Sequence, residues 1–286
     1  MGGGGIYISE GTEAGGKATE IFDCIFINCH RSSVCSNICA SYDFVKKRCQ
    51  FLDHIQYNKY GNEALIYPKF SNDQTINNCI FERNFQADLL VSKDSTSSSL
   101  SLIQCTFNNN EVKNKNNSYK GIIDFSDFKT ASITIENCNF TSNKGVFLGT
   151  TEENCKSQVL NCQFKNNEGS IGCAIYAICK QQKSEYKMAI DGCTFQSNKG
   201  TGSTSVRGCV SIDTSYVEFL KCNLFINNEV SQTKRNTDEE LLLGGSLFIN
   251  QLQPAPYSFY HGSAIGIYAG DYKGQTDLSR QLIYYQ

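Results

Sequence analysis

Short stretches of the chain alternate apolar and polar residues with a period of two, as in "SLSLIQ" from Ser99, "SITIEN" from Ser132, "KMAIDG" from Lys187 and "SYVEFLK" from Ser215. Successive side chains of a strand point to opposite faces, so this alternation predicts half-buried β-strands. Each stretch runs into a second, shorter one of the form Cys-x-Phe. Downstream comes a glycine-led apolar strand: "GIIDF" at Gly121, "GCAIYA" at Gly172, "GCVSID" at Gly208 and "GGSLFI" at Gly244, with "GGGIYI" near Gly4. No 3.6-residue apolar pattern of useful length interrupts them, and three prolines in the whole chain leave the strands unbroken.

The order strand, Cys-x-Phe, turn, glycine-led strand recurs. The cysteines are Cys24, Cys49, Cys79, Cys105, Cys138, Cys162 and Cys193, with a looser copy at Cys222; successive spacings are 25, 30, 26, 33, 24, 31 and 29 residues. Phe81, Phe107, Phe140, Phe164 and Phe195 are each followed three positions later by an asparagine: Asn84, Asn110, Asn143, Asn167 and Asn198. The first two copies carry Cys29 and His54 there instead. In the last copy Asn227 follows Leu224 and Asn228 follows Phe225 at that distance, which leaves its register open. Glu or Lys comes next in five copies: "NEV", "NKG", "NEG", "NKG" and "NEV".

Three short strands per period cannot bury a core alone. Stacked periods can, each strand pairing in parallel with its counterpart about 4.8 Å away. The architecture that satisfies this, and lets insertions fall in loops, is a right-handed parallel β-helix, a pectin-lyase-like solenoid of about eight or more coils. Eight coils span roughly 40 Å. It is expected over residues 1–250, with 251–286 as a final irregular coil or tail, the whole reading as a piece of a longer protein.

In Cys-x-Phe both side chains share one strand face, and Phe sets that face inward. The cysteines then form a column of small buried groups, for which reduced thiols suit the parallel side-chain vectors better than the disulfide torsion; several disulfides are the alternative. The asparagines read as turn residues whose amides bond up and down a ladder. All these residues are assigned structural roles.

Composition narrows the function. A formal charge of -2 gives no basic footprint for nucleic acid or anionic lipid, and no apolar run approaches a membrane span. "GTEAGGKAT" from Gly11 resembles a phosphate loop, but Ala18 replaces the hydroxyl that would meet Mg²⁺ and strand residues follow where a helix is required. Cys24, Cys29, Cys35, Cys39 and Cys49 lack zinc-finger spacing, with metal or a local disulfide as the lesser reading. His30, His54 and His261 form no ligand set. Asp124, Asp191 and Asp213 come from different registers and make no carboxylate pair. Tyr7, Tyr176 and Phe248 fall at one outward position, which Asp124 and Ser211 interrupt. Sequons at Asn116 ("NNS") and Asn139 ("NFT") are possible N-glycosylation sites, Asn139 being expected to face solvent. No cofactor is implied.

The Phe-x-x-Asn side of the repeat, "FERN", "FNNN", "FTSN", "FKNN" and "FQSN", with the looser "GGGI", "GCAI", "GCVS" and "GGSL", resembles the FxxN and GGA[ILV] repeats of chlamydial polymorphic outer-membrane proteins. It is also similar to the Asn- and Cys-rich β-helix surface proteins of protozoan parasites. The resemblance implies a non-enzymatic, adhesin-like or stalk segment at the cell surface or outside the cell. Its partner would be a host or cell-surface protein or a glycan. A carbohydrate-active β-helix enzyme, and a structural fragment without activity of its own, are the alternatives. Three or more charged side chains converging in a cleft would favour the enzyme.

Overall fold

The computed structural model describes residues 6–8, 19–27, 35–40, 44–53, 64–68, 74–85, 88–91, 99–112, 121–125, 132–150, 156–169, 173–178, 187–202, 209–213, 216–219, 223–232, 247–250, 265–268 and 282–284. Within them the ordered elements are strands, arranged in sheets of ten, eight, nine and three. All pairings between strands are parallel, and each strand's neighbours are its counterparts one period away, so the chain winds as a parallel β-helix.

One coil shows how the sequence makes the winding. Gly121–Phe125 lies in the first sheet and Ser132–Glu136 in the second, with Ile133 and Ile135 buried. Asn137 then turns the chain with φ 54°, Cys138 enters the core, and Asn139–Thr141 forms the third-sheet strand with Phe140 buried at its centre. Ser142, φ 55°, turns the chain again, Asn143 points inward, and Lys144 bridges to the coils on either side. Two left-handed corners thus frame the strands that begin at Cys49, Cys79, Cys105, Cys138, Cys162 and Cys193.

The corner before the cysteine is held by Asp23, Arg48, Asn78, Gln104, Asn137, Asn161 and Gly192 in successive coils. The corner before the asparagine is held by Asp53, Arg83, Asn109, Ser142, Asn166, Ser197 and Asn227. Positive φ is uncommon for a side chain other than Gly, Asn or Asp. Here the stack imposes it. Corner N–H groups from Asp23 to Ser197, Gly192 aside, donate to a carbonyl of the next coil, Asn137 N to Leu160 O at 3.0 Å and Ser142 N to Lys165 O at 2.9 Å.

The third sheet sets the core. Phe26, Phe51, Phe81, Phe107, Phe140, Phe164, Phe195 and Phe225 stack ring on ring, with centroids 4.7 to 5.0 Å apart. That distance is the spacing of paired strands, so the backbone dictates the stacking. Burying each ring contributes on the order of 2 to 3 kcal/mol. Stacking continues past residue 250: Ile265–Tyr268 pairs with Leu247–Asn250 in the first sheet, and Leu282–Tyr284 pairs with Leu224–Ile226 in the third.

Candidate functional site

Cys49, Cys79, Cys105, Cys138, Cys162 and Cys193 are buried thiols outside any disulfide, and Cys24 at the first coil is a half-buried one. Each buried thiol hydrogen faces carbonyl oxygens: Cys105 Sγ lies 3.4 Å from Ile76 O and 3.4 Å from Ile103 O, and Cys193 Sγ lies 3.3 Å from Val159 O. The bond with the Cys138 thiol, a second with Cys79, and burial push Cys105 well above its ordinary pKa. Bonds with Cys138 and Cys193, with burial, do the same to Cys162. Cys105 and Cys162 are thus the protonated donors of the column, while the same bonds pull their accepting partners down, Cys138 through Cys105 and Cys162, and Cys193 through Cys162. All four are buried and poorly placed to meet an external electrophile.

The eighth rung departs from the expectation at Cys222, which lies outside the described residues. The position two before the buried ring is Asn223, because the ring is Phe225. Asn223 Oδ1 accepts the Cys193 N–H at 2.8 Å, as Cys138 Sγ accepts the Cys105 N–H at 3.3 Å, and its amide donates to Ile190 O at 3.0 Å. One register shift therefore settles the last copy: Asn227 takes the left-handed corner and Asn228 the ladder.

Asn84, Asn110, Asn143, Asn167 and Asn198 are buried. Asn143 shows the pattern. Its amide donates to Phe107 O at 3.0 Å and to Asn167 Oδ1 at 3.0 Å, while its own oxygen accepts the Asn110 backbone N–H at 3.0 Å and the Asn110 amide at 2.9 Å. All four bonding positions of the amide are filled, so the ladder holds the coils together and offers nothing to a ligand.

What remains for function lies outside the rungs. Along the outer side of the corner that precedes the ladder, the structure forms an open groove of about 500 Å³. It is lined by Asp53, Arg83, Asn109 and Ser142 from the corner row, and by Phe85, Glu111 and Lys144 from the row beyond the ladder, with Asn110 between them. It crosses four coils, a length of roughly 15 Å at strand spacing. Arg83 holds Asp53 across one coil step with two bonds, Nε to Oδ1 at 2.6 Å and Nη2 to Oδ2 at 3.0 Å, and its Nη1 lies 2.8 Å from Glu82. Phe85, 39 % exposed, is a large apolar side chain on this surface. It begins a row that continues, coil by coil, through Glu111, Lys144, Glu168, Lys199 and Glu229, alternating in charge after the ring. Lys199 and Glu229 close a 2.5 Å ion pair in that row.

Four charged side chains from four different coils therefore meet in one groove. Glu111 and Lys144 stand in the Glu-or-Lys place that follows the ladder asparagine, whereas Asp53 and Arg83 stand in the corner place, which carries no repeated residue type. The available signal was the pattern of the residue just before and just after each ladder asparagine.

The remaining candidates fall elsewhere. Pairing register puts Tyr7 beside Cys39, and carries Asp124, Gly149, Tyr176, Ser211 and Phe248 along one row of the first sheet. Asn139 is exposed on the outer face of the third sheet. Asn116, Cys29, His30, His54, His261 and the segment 11–18 lie outside the described residues, and Cys35 and Cys39 are described only as backbone of one first-sheet strand. Among the described residues no three His, Cys, Asp or Glu side chains gather as a metal site. No helix among them is long and apolar enough to cross a membrane.

The family model described as a right-handed beta helix region matches residues 65–239, more than half of the chain. The protein belongs to that family, and the winding is the right-handed one. A comparison with curated proteins gives no match.

Proposed function

We propose that the chain is a non-catalytic β-helix rod of a surface-exposed or secreted protein, of the polymorphic outer-membrane-protein-like repeat type, which binds other molecules through its outer side. The observation that carries this reading is the division of labour in each coil. The cysteine, phenylalanine and asparagine places are spent on stacking, whereas the groove at Asp53, Arg83, Phe85, Asn109, Glu111, Ser142 and Lys144 is built from the corner before each ladder asparagine and the place after it. A resemblance in short structural repeats supports the fold more strongly than the role, so the groove is the part to test. Beads coated with the 286-residue chain should adhere to cultured mammalian cells, and beads coated with an R83A/F85A/K144A variant should lose adhesion. Equal adhesion by the two would remove the groove from the proposal.

A carbohydrate-active enzyme is the second reading, favoured by the same convergence of Asp53, Arg83, Glu111 and Lys144 in a cleft. Against it, both oxygens of Asp53 are occupied by Arg83, so that carboxylate is not presented to a substrate. New reducing ends released from oligosaccharides, and lost in both D53N and E111Q, would establish the enzyme instead.

A further inference from the structure

We infer that the groove takes an uncharged, linear saccharide lying along the rod axis; this rests on the groove being the binding site proposed above. The first reason is what the groove cannot recognise. The N–H groups of Asp53, Arg83, Asn109, Ser142, Glu111 and Lys144 all donate to carbonyls of neighbouring coils, at 2.8 to 3.1 Å. Those N–H groups are not open to an extended peptide, and edge pairing is what gives such peptides most of their affinity. Recognition at this surface must come from side chains.

The second reason is charge. Asp53 and Glu111 are matched by Arg83 and Lys144, and the Arg83 guanidinium is already spanned by Asp53 and Glu82. A polyanion would have to displace those carboxylates, and a polycation would have to displace the guanidinium. A neutral ligand needs neither.

The third reason is the kind of side chain left on the walls. Asn109 presents an amide, Ser142 a hydroxyl, and the Asp53–Arg83 pair fixed planar polar atoms, all along one wall. Across the groove, Phe85 offers an exposed aromatic face. Hydroxyl-rich rings with apolar faces match this set, with a ring face on Phe85 and hydroxyls on the Asn109 amide and the Ser142 hydroxyl. The groove is open and elongated over four coils, which suits several consecutive units better than one.

The test uses the full 286-residue chain. Binding is measured by calorimetry against neutral linear oligosaccharides (β-linked hexamers of glucose, xylose and N-acetylglucosamine), against an oligogalacturonate, and against an extended peptide mixture. The expected result is binding of at least one neutral hexamer, with little change between low and high salt. Phe85→Ala should weaken it by roughly tenfold, near the upper end of what an aromatic face contributes, while Phe85→Tyr retains it. Binding confined to the oligogalacturonate or to peptides overturns the inference, as does neutral binding that Phe85→Ala leaves unchanged. If no oligosaccharide binds while groove substitutions still abolish cell adhesion, the saccharide is wrong and the groove stands. If those substitutions leave adhesion intact, the binding reading fails as well.

Discussion

The amide oxygen of Asn223 accepts the Cys193 backbone N–H at 2.8 Å, occupying the place in its coil that a cysteine occupies in every coil below it. The column therefore selects for a small group that accepts from one coil and donates to a carbonyl, and a thiol does this weakly where an amide does it well. Cys162→Asn should change stability by less than about 1 kcal/mol. Cys162→Leu, which can do neither and overfills the corner, should cost about 1 to 3 kcal/mol. Urea unfolding of the two variants checks the difference.

Asn143 is the opposite case, a residue whose side chain bonds to the coils on both sides. Removing its side chain leaves the buried Asn110 N–H without its acceptor, and takes one bond each from the Phe107 carbonyl, from the Asn110 amide, which keeps Phe81 O, and from the Asn167 oxygen, which keeps the Asn143 N–H. An unsatisfied buried group costs about 1 to 3 kcal/mol and the weakened ones add to it, so Asn143→Ala should destabilise the chain by about 2 kcal/mol or more. Thermal unfolding followed by circular dichroism measures this, and a loss below about 1 kcal/mol would contradict the ladder.

Corner residues make a prediction of paired sign. Gln104 sits at φ 55° with an exposed side chain, in a row whose neighbouring coils carry Asn78 and Asn137. Gln104→Asn should stabilise by about 0.5 to 1 kcal/mol, because Asn accepts the left-handed conformation more readily. Gly192 in the same row should resist substitution. A Cβ there would stand 2.6 Å from Asn161 Oδ1, so Gly192→Ala should lower the unfolding midpoint while Gln104→Asn raises it.

A buried thiol sets an alkaline limit. Burial, then the Cys173 thiol, raise Cys209 well above an ordinary value of 9.0. Folding thus favours its protonated form. The contribution is complete below about pH 9 and is lost as the pH climbs from there toward the folded-state value, because only the unfolded chain then ionises. Stability should fall by about 1.4 kcal/mol per pH unit on account of this thiol, and the slope should shrink by that share in Cys209→Ala. Urea midpoints between pH 8 and pH 10.5 report it.

Much of the fold was legible because burial repeats. Cys-x-Phe announces a strand with two inward residues, and Asn three places after Phe announces a ladder, so the columns follow from the sequence. The corners were not legible. Asp, Arg, Asn, Gln, Ser and Gly all serve there, since interstrand bonding and not local preference fixes the backbone. The last copy misled through its cysteine: Cys222 is offset by one from the place that Asn223 fills, and only the ring at Phe225 fixes the register. The groove was hidden for a simpler reason. Arg83 and Asp53 are 30 residues apart, and nothing in either repeat marks them as neighbours.

The row Glu111, Lys144, Glu168, Lys199, Glu229 has a bearing on how such a chain can lengthen or shorten. Its signs alternate, so excising one whole coil would set two carboxylates or two ammonium groups face to face at the junction, whereas excising two coils restores opposite partners. The rod carries a parity, and coils in this stretch are exchangeable at least cost in pairs.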